Sequence, residues 1–343
     1  MMKAVCLCDV GGPEVLRVAS VERPDPGPGC VLVRVVAAGI CHHDVLARAG
    51  LIPGARKDQI PGHELAGQIV VAGSDVSAER IGQRVAIYQR IFCGCCRHCL
   101  AGRHDLCRDS DVIGENGGGG YAEFTSVPAQ NAIPIPDGVE FAAAALAACP
   151  IGTSVRAVLG VAQIGSGSVV LVTGSGGGLG LHQIQVAKSV NARVIAVTTS
   201  SAKESAIRAA GADEVIVSPD LQFSGEVWRL TGKQGVDAVL ENVVTGSLRE
   251  SLRSCGRNAI VVILGNIGAE NVDFDPGLVI SRRIRIAGSG NATFADMHLA
   301  LDLIARGIVR PNIGKTLTFS DAALGHALVE QRAVAGRVIL RGW

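Results

Sequence analysis

The chain has 343 residues, of which 48% are apolar and 18% are charged. This length predicts two domains, and this composition excludes a disordered chain. The 32 basic and 31 acidic residues give a net charge of +1, so the charge balance favours neither nucleic acid nor an anionic membrane surface as a partner.

The longest apolar run, residues 141–151, is far shorter than the roughly 20 residues of a membrane-spanning helix. The start of the sequence has no recognisable secretory signal, so we expect a cytoplasmic protein. In that compartment the 11 cysteines are expected to bind metal or to stay reduced rather than to form disulfides.

Residues 1 to about 150 predict a β-rich region. Short apolar or alternating runs at 31–38, 68–72 and 84–88 are separated by Pro/Gly turns such as the one at 24–29. A cysteine-rich segment interrupts this pattern.

That segment carries four closely spaced thiols that suit one tetrahedral zinc ion in a closed, structural site. They are Cys93, Cys96, Cys99 and Cys107. The neighbouring Cys95 is interpreted as a spectator.

A second, dispersed set of candidate ligands consists of Cys41, His63 and Cys149. Two thiolates and an imidazole with a fourth position left open are the make-up of a catalytic zinc site. Asp44 and Glu64 lie beside these residues in sequence, as partners that orient the ligands or as an alternate ligand. Residue spacing alone does not bring the three together.

From residue 153 the pattern changes to apolar runs that alternate with helical patterns at 184–190 and 203–210. The runs lie at 168–173, 193–198, 215–217, 236–240 and 259–264. Such an alternation predicts a parallel sheet covered on both faces. Residues 287–343 predict helices at 297–306 and 322–331 and a last strand at 337–340.

The strand at 169–173 leads into a glycine-rich turn and then a helix. The turn consists of Gly174, Ser175, Gly176, Gly177, Gly178, Leu179 and Gly180. A G-x-G-x-x-G fingerprint would need a glycine at position 175, so the motif fails there, but the strand–turn–helix context still aims backbone N–H groups at a pyrophosphate. The alternative is a glycine-rich turn that binds no ligand.

The end of the next strand carries hydroxyls and a lysine in place of the acidic residue that holds the ribose of NAD. These residues are Thr198, Thr199, Ser200 and Lys203. They suit a 2′-phosphate, so we expect NADP(H) to be preferred over NAD(H). Alternatively, the hydroxyls are ordinary loop groups, with Ser200 or Ser201 capping a helix.

These motifs together resemble the zinc-containing medium-chain dehydrogenase/reductases, which include the alcohol dehydrogenases. The resemblance rests on residues 39–44, 62–64, 117–123, 149–153 and 336–338, the four-cysteine segment and the glycine turn. It implies an α/β protein with a GroES-like β-rich catalytic domain and a Rossmann domain with a doubly wound parallel sheet. The implied boundaries are 1–152 and 287–343 for the catalytic domain, with a structural-zinc lobe at about 90–110, and 153–286 for the Rossmann domain.

The resemblance also implies roles for individual residues. Cys41, His63 and Cys149 become catalytic zinc ligands, Glu64 a carboxylate that can exchange onto the metal, and the four clustered cysteines the structural site. Thr198 takes the position of the Asp found in NAD-dependent relatives. The implied cofactor contacts are made by His42, Thr153, Asn242, Val243, Gly265, Asn266, Gly288, Ser289 and Arg337.

The sequence departs from the alcohol dehydrogenases at the proton relay. His43 replaces the usual Ser or Thr, and Leu46 stands where several relatives have His. Either His43 handles the proton, as its pKa range allows, or the relay is absent and His43 only lines the cleft.

Residues 171–199 and 263–266 are similar to NADPH-dependent quinone reductases and acryloyl-CoA-reductase-like members, which often reduce C=C bonds. The leading interpretation is a zinc-dependent oxidoreductase that transfers a hydride between NADP(H) and an alcohol, aldehyde or ketone. The alternative is an NADPH-dependent ene reductase for α,β-unsaturated carbonyl or enoyl-CoA substrates, and a non-catalytic NADPH-binding protein ranks third. The resemblance further implies a homodimer or homotetramer built through the sheet edge of the Rossmann domain.

Overall fold

The computed structural model describes residues 1–53, 56–115 and 118–343. Its strands are β1 Met2–Leu7, β2 Leu16–Val21, β3 Cys30–Ile40, β4 Glu64–Ala72, β5 Arg84–Ile87, β6 Arg90–Ile91, β7 Asp111–Val112, β8 Phe124–Pro128, β9 Ala132–Pro134, β10 Val169–Val172, β11 Arg193–Thr198, β12 Glu214–Val217, β13 Val236–Glu241, β14 Cys255–Ile263, β15 Arg285–Gly288, β16 Ile313–Leu317 and β17 Arg337–Leu340.

The α-helices are α1 His42–Arg48, α2 Arg97–Leu100, α3 Phe141–Ala144, α4 Gly152–Val155, α5 Gly180–Ser189, α6 Glu204–Ala209, α7 Ser224–Leu230, α8 Leu248–Ser254, α9 Pro276–Arg282, α10 Phe294–Ala305 and α11 Ala322–Glu330. Short 3₁₀ turns lie at Pro13–Val15, Ala78–Arg80, His104–Leu106, Ala129–Asn131, Ser201–Lys203 and Phe319–Asp321. Two π-helical turns span Ala147–Ile151 and Arg156–Val161.

The chain divides into two compact units. Unit 1 comprises Met1–Gly152, Ala292–Gly307 and Ile313–Trp343, and unit 2 comprises Thr153–Asn291 and Ile308–Asn312. The predicted boundary after residue 286 therefore differs from the observed one, because β15 extends to Gly288 and pairs with β14 through the register Ile263–Gly288. The short segment 308–312 joins unit 2 because Gln185 of α5 exchanges hydrogen bonds of 2.7 and 2.9 Å with the backbone of Arg310.

Unit 1 is built on a seven-stranded, mostly antiparallel sheet with the order β16-β17-β3-β4-β5-β9, and β8 pairs with β3. β16 and β17 pair in parallel, and two small antiparallel pairs, β1–β2 and β6–β7, complete the strands. Alternating side chains of β3 such as Val31, Val33 and Val35 pack into an aliphatic core with Leu65 and Ile69 of β4. The long β3–β4 ladder positions the site described below.

Unit 2 is a six-stranded parallel sheet with the order β12-β11-β10-β13-β14-β15. The strand order reverses between β10 and β13, which is where open α/β sheets bind ligands beyond the carboxyl ends of their strands. The central strands are largely apolar because helices cover both faces of the sheet, and the residues Leu171, Ile195 and Val239 are fully buried.

The predicted fold class is confirmed, and the differences lie in element bounds. The predicted strand at 68–72 is longer in the structure, since β4 begins at Glu64. The charged side chain of Glu64 interrupts the apolar pattern from which the strand is predicted. The predicted helix at 184–190 begins earlier, at Gly180, directly after the glycine turn. No helix within residues 1–53, 56–115 and 118–343 is both long and apolar enough to cross a membrane.

Candidate metal centres and nucleotide-binding turn

Cys41 lies at the junction of β3 and α1, where it occupies the position that caps the helix. Its backbone is extended, and its N–H donates to Asp44 Oδ2 at 3.1 Å, so Asp44 closes the first turn of the helix. The sequence thus places the candidate ligand and its carboxylate neighbour on one rigid turn.

His63 and Glu64 come next to this turn through the antiparallel register of β3 and β4, in which Gly39 faces Glu64. A Cβ at Gly39 would lie 2.1 Å from Glu64 Oε2, so the close approach of the carboxylate requires glycine at this position. The non-local strand pairing therefore does what residue spacing could not: it brings His63 to Cys41.

Cys149 is carried by the π-helical turn Ala147–Ile151. Pro150 lies inside this turn and has no N–H to donate, and the next N–H, that of Ile151, bonds the carbonyl of Leu146 five residues back at 3.2 Å. Such wide turns are frequent at functional sites, and here one carries the second candidate thiolate.

The ligand atoms of Cys41, His63, Glu64 and Cys149 all lie within 4.8 Å of one another. The two sulfurs are 3.9 Å apart, close to the separation of about 3.8 Å expected for two thiolates bound to one tetrahedral zinc ion. Two thiols, one imidazole and one carboxylate are a donor set that zinc accepts, so these residues fit a catalytic zinc ion.

The protonation of the two thiols is coupled. The hydrogen bond between them holds the pKa of Cys41 well below its usual value and raises that of Cys149, so one proton is shared by the pair. Burial raises the pKa of Glu64 to about 7, against the opposing charge of Arg337. A metal ion would take the place of the shared proton, because thiols bind metals in the deprotonated form.

Arg337, a predicted cofactor contact, lies inside this cluster. Its Nη2 is 2.5 Å from Glu64 Oε1 and its Nε is 3.1 Å from Glu64 Oε2. The same Nη2 is 3.5 Å from Cys41 Sγ and 3.8 Å from Cys149 Sγ. The guanidinium thus neutralises the ligand cluster, and its contact with a cofactor stays a prediction.

Asp44 orients the imidazole of the cluster. Its Oδ1 lies 2.9 Å from His63 Nδ1, which leaves Nε2 to face the other ligands. Asp44 Oδ2 also accepts from Tyr121 OH at 3.4 Å, and Tyr121 OH lies 3.4 Å from Nε2 of the buried His326. The sequence analysis missed Tyr121 and His326; Tyr121 stands in the motif at 117–123, whereas no local signal marks His326. Gly117, at the start of that motif, lies outside the described residues.

His43 is half-exposed, and its ring centroid is 5.9 Å from that of His63. Its Nε2 lies 2.9 Å from Glu115 Oε1, and this contact raises the pKa of His43. Sequence reasoning missed Glu115. The neighbouring His42 has a buried Nε2 without a hydrogen-bond partner among the described residues, as a group that awaits a ligand would have.

The four clustered cysteines also converge, with all four sulfurs within 4.8 Å of one another. Cys93 Sγ is 3.9 Å from Cys99 Sγ and 3.6 Å from Cys107 Sγ. Backbone N–H groups of Cys95 and Cys96 lower the pKa of Cys93 to about 6, which favours the thiolate that zinc requires. Cys95 itself is exposed and outside the group of four.

The glycine-rich turn follows β10 and ends where α5 begins at Gly180. A Cβ at Gly180 would lie 2.6 Å from the Cα of Ser175, so the helix packs directly on the turn. Ser175 is fully buried, and its hydroxyl donates to the carbonyl of Val197 at 2.8 Å, which explains how a serine replaces the first fingerprint glycine.

Thr198 ends β11 and is buried, and its Oγ1 accepts from Ser200 N at 3.2 Å. Thr199 is exposed. Ser200 precedes the 3₁₀ turn Ser201–Lys203, but its side chain makes no capping hydrogen bond, so the alternative of a capping role for Ser200 is wrong. The side chain of Lys203 lies against Gly176, where a Cβ would come within 2.7 Å of it.

The remaining predicted cofactor residues follow the carboxyl ends of neighbouring parallel strands. Asn242 and Val243 follow β13, and Gly265 and Asn266 follow β14. Gly288 is the last residue of β15, and Ser289 follows it. Asn242 is fixed by Thr173 O at 2.8 Å and by Gln183 Oε1 at 2.7 Å, and Val243 lies over Gly174. Thr153, in α4, is buried at the start of unit 2. Gly177, Gly178 and Leu179 complete the turn.

Comparison with known proteins agrees with this geometry. Residues 27–137 match the family model of the alcohol dehydrogenase GroES-like domain, and residues 178–306 match that of the zinc-binding dehydrogenases. Acryloyl-coenzyme A reductase from Metallosphaera sedula is 31% identical, and NAD-dependent alcohol dehydrogenase from Saccharolobus solfataricus is 32% identical, each with 99% of both chains covered. The crystal structure of AibC is similar with a TM-score of 0.93 and 39% identity, over 100% of this chain and 96% of that one.

A GroES-like domain with a Rossmann-like parallel sheet defines the class of zinc-binding dehydrogenases, which are oxidoreductases. The chain belongs to the zinc-containing medium-chain dehydrogenase/reductase superfamily.

Proposed function

We propose that this protein is a zinc-dependent oxidoreductase that transfers a hydride between NADP(H) and an alcohol, aldehyde or ketone. The observation that carries the proposal is the convergence of Cys41, His63 and Cys149 beside Glu64, with all ligand atoms within 4.8 Å. When bound, zinc supplies Lewis acidity at the substrate oxygen, and the nicotinamide supplies or accepts the hydride.

The residues of unit 1 would bind the metal ion and transfer the proton. Asp44 fixes the ring of His63 through Nδ1, and Arg337 offsets the negative charge of Glu64 and the thiolates. His43 Nε2 holds a proton toward Glu115 Oε1 and is reachable from solvent, so it would supply the proton that the reduced oxygen needs.

The cofactor proposal rests on the end of β11. Thr198, Thr199, Ser200 and Lys203 provide hydroxyls and a cation but no carboxylate, which suits the dianionic 2′-phosphate of NADP(H). The glycine turn and the positive end of the helix dipole at the start of α5 suit the pyrophosphate.

A second candidate function is ene reduction of an α,β-unsaturated carbonyl or enoyl-CoA substrate. Two observations favour it. His43 replaces the usual relay hydroxyl and is bonded to Glu115, and a relative that matches over 99% of both chains is named acryloyl-coenzyme A reductase. Hydride delivered to the β-carbon would need no relay from the substrate oxygen.

Zinc stoichiometry and deuterium transfer test both candidates. Native mass spectrometry should give two zinc ions per chain, and Cys41→Ser should lose one of them while the exposed Cys95→Ser keeps both. Turnover with 4-deuterated NADPH and a conjugated carbonyl then locates the label. Deuterium on the carbinol carbon supports carbonyl reduction, deuterium on the β-carbon supports ene reduction, and full turnover by Cys41→Ser contradicts the zinc mechanism.

We further propose a homodimer or homotetramer that forms through the β15 edge of unit 2. Among the described residues, β15 pairs with a strand on one side only. Two apolar side chains lie exposed near this edge: Ile286 of β15 is 38% exposed and Ile280 of α9 is 76% exposed. Unpaired strand edges with apolar neighbours favour pairing with another copy. Light scattering should give a dimer or tetramer, and Ile286→Lys should give monomers.

A further inference from the structure

Unit 1 contains a small cavity beside the candidate catalytic metal site. It has a volume of about 20 Å³, and its lining includes Asp44 and Arg48 of α1, His326 of α11 and Glu115. One water molecule needs about 10–15 Å³ of such space, so the cavity has room for a single water.

Three buried nitrogen atoms of the lining residues lack a hydrogen-bond partner among the residues that the structure describes. They are Nε and Nη1 of Arg48 and Nδ1 of His326. Arg48 is only 2% exposed and uses Nη2 to bind Glu330 Oε1 at 3.0 Å, and His326 is fully buried. An unsatisfied buried polar group destabilises a fold, and a polar ligand in the cavity would remove this cost.

The hydrogen-bond string on the other side of His326 fixes its tautomer. Burial lowers the pKa of His326 to about 4, so the ring is neutral and one nitrogen donates while the other accepts. Tyr121 OH lies 3.4 Å from Asp44 Oδ2 and 3.5 Å from the carbonyl oxygen of Gly39, and both atoms are acceptors. The phenol has one hydrogen, which goes to these acceptors, so its oxygen must in turn accept from His326 Nε2–H. His326 Nδ1 is therefore an acceptor without a partner among the described residues, while the unpartnered nitrogens of Arg48 are donors.

We propose that the cavity holds one ordered water that accepts from Arg48 and donates to His326 Nδ1. This water completes a string from Arg48 through His326, Tyr121 and Asp44 to the imidazole of His63. His326 is then a positioning residue, since it fixes the direction of the Tyr121 hydroxyl and, through it, the carboxylate that orients His63. The water site stands on unit 1 alone, whereas the positioning role rests on the proposed metal site.

A crystal structure of the zinc-loaded full-length protein tests the water site. We expect one water peak within hydrogen-bond distance of both Arg48 and His326 Nδ1, and we expect its loss in Arg48→Met. A dry cavity, or Arg48 bonded directly to His326, overturns the proposal. A wild-type protein that lacks the second zinc ion would overturn the proposed function but would leave this water in place.

Two substitutions at His326 test the positioning role. His326→Phe removes both ring nitrogens, whereas His326→Gln keeps an amide N–H near the position of Nε2. We expect His326→Phe to lose the catalytic zinc to a chelator roughly tenfold faster and to shift the visible bands of the cobalt-substituted site. His326→Gln should restore both, and the zinc held by Cys93, Cys96, Cys99 and Cys107 serves as the internal control.

Equal zinc loss and identical cobalt spectra in wild type and a folded His326→Phe would contradict the positioning role. If His326→Phe and His326→Gln showed equally fast zinc loss and equal shifts of the cobalt bands, His326 would only pack in the core, and the positioning role would again be overturned. If His326→Phe fails to fold, Tyr121→Phe removes the same hydroxyl link at constant shape. It should then show the faster zinc loss, and unchanged zinc loss and cobalt bands in Tyr121→Phe would overturn the role.

Discussion

Arg337 and Glu64 form a buried, two-pronged ion pair. The guanidinium Nη2 and Nε lie 2.5 and 3.1 Å from the two carboxylate oxygens, and the side chains are 9% and 0% exposed. This pair joins β17 to β4, which are separated by β3 in the sheet, and it sets the charge of the site that the two thiols share. A carboxylate held in this way is restrained from binding a metal until the arginine releases it.

Removing one partner of this pair should destabilise unit 1 strongly, because the other charge stays buried without compensation. We expect Arg337→Met to lower the free energy of unfolding by about 3–5 kcal/mol. Arg208→Met is the matched control, since Arg208 forms an exposed pair with Glu204 at 2.7 Å on a helix surface; its cost should be at most about 0.5 kcal/mol. Urea unfolding of the metal-loaded proteins measures both, and similar values for the two variants would contradict the prediction.

The four-cysteine lobe should need each of its thiols but not the neighbouring one. Cys99 is buried within the group of four, whereas Cys95 is exposed and outside it. We expect Cys99→Ser to lose one zinc ion per chain and to loosen the lobe, while Cys95→Ser keeps two. Native mass spectrometry and hydrogen exchange of residues 90–110 check this. A Cys99→Ser protein with wild-type zinc content would mean that the four sulfurs do not bind one ion.

The features that the sequence predicts best are those set by residues close together in the chain. The convergence of Cys93, Cys96, Cys99 and Cys107 follows from a local turn, and the parallel sheet follows from buried apolar runs. The dispersed ligands meet only through the β3–β4 register and the π-helical turn at Cys149, which no local pattern specifies. The family resemblance implies that these ligands come together, but it does not explain the physical cause.

What sequence reasoning missed lies in contacts between distant segments. Glu115 beside His43, and His326 beside Tyr121, join residues far apart in the chain, and each partner alone has ordinary neighbours in sequence. Ser175 is the reverse case. Ser175 departs from the expected glycine pattern, but its buried hydroxyl donates a hydrogen bond to Val197 O, which supports the same strand–turn–helix path.

Cofactor preference should respond to one substitution at the end of β11. A carboxylate introduced by Thr198→Asp would repel the 2′-phosphate of NADPH and offer an acceptor to the ribose hydroxyl of NADH. We expect NADPH binding to weaken at least about tenfold, equal to about 1.4 kcal/mol, and NADH binding to strengthen. Thr198→Ser, which keeps the hydroxyl, should retain the wild-type ratio. Titration calorimetry measures the dissociation constants of both cofactors for all three proteins, and tighter NADH than NADPH binding by the wild-type protein would refute the preference.

The buried His326 should make the fold sensitive to mild acid. Burial lowers its pKa to about 4; the nearby Asp44 opposes this shift and Arg48 adds to it. An unfolded chain protonates the same ring near its ordinary pKa of about 6.5. Between these values the unfolded state binds the extra proton, so stability is complete above pH 6.5 and is lost as the pH falls toward about 4.

The expected loss from this one group is about 3 kcal/mol, since each pKa unit corresponds to about 1.4 kcal/mol. Urea unfolding at a series of pH values should show this loss in wild type and a flatter profile in His326→Gln, which cannot titrate. The exposed His298 provides the control variant, His298→Gln, which should follow wild type. Parallel profiles for wild type and His326→Gln would mean that the buried ring is not held in its neutral form. The proposed tautomer, in which Nδ1 is the acceptor, would then be wrong as well.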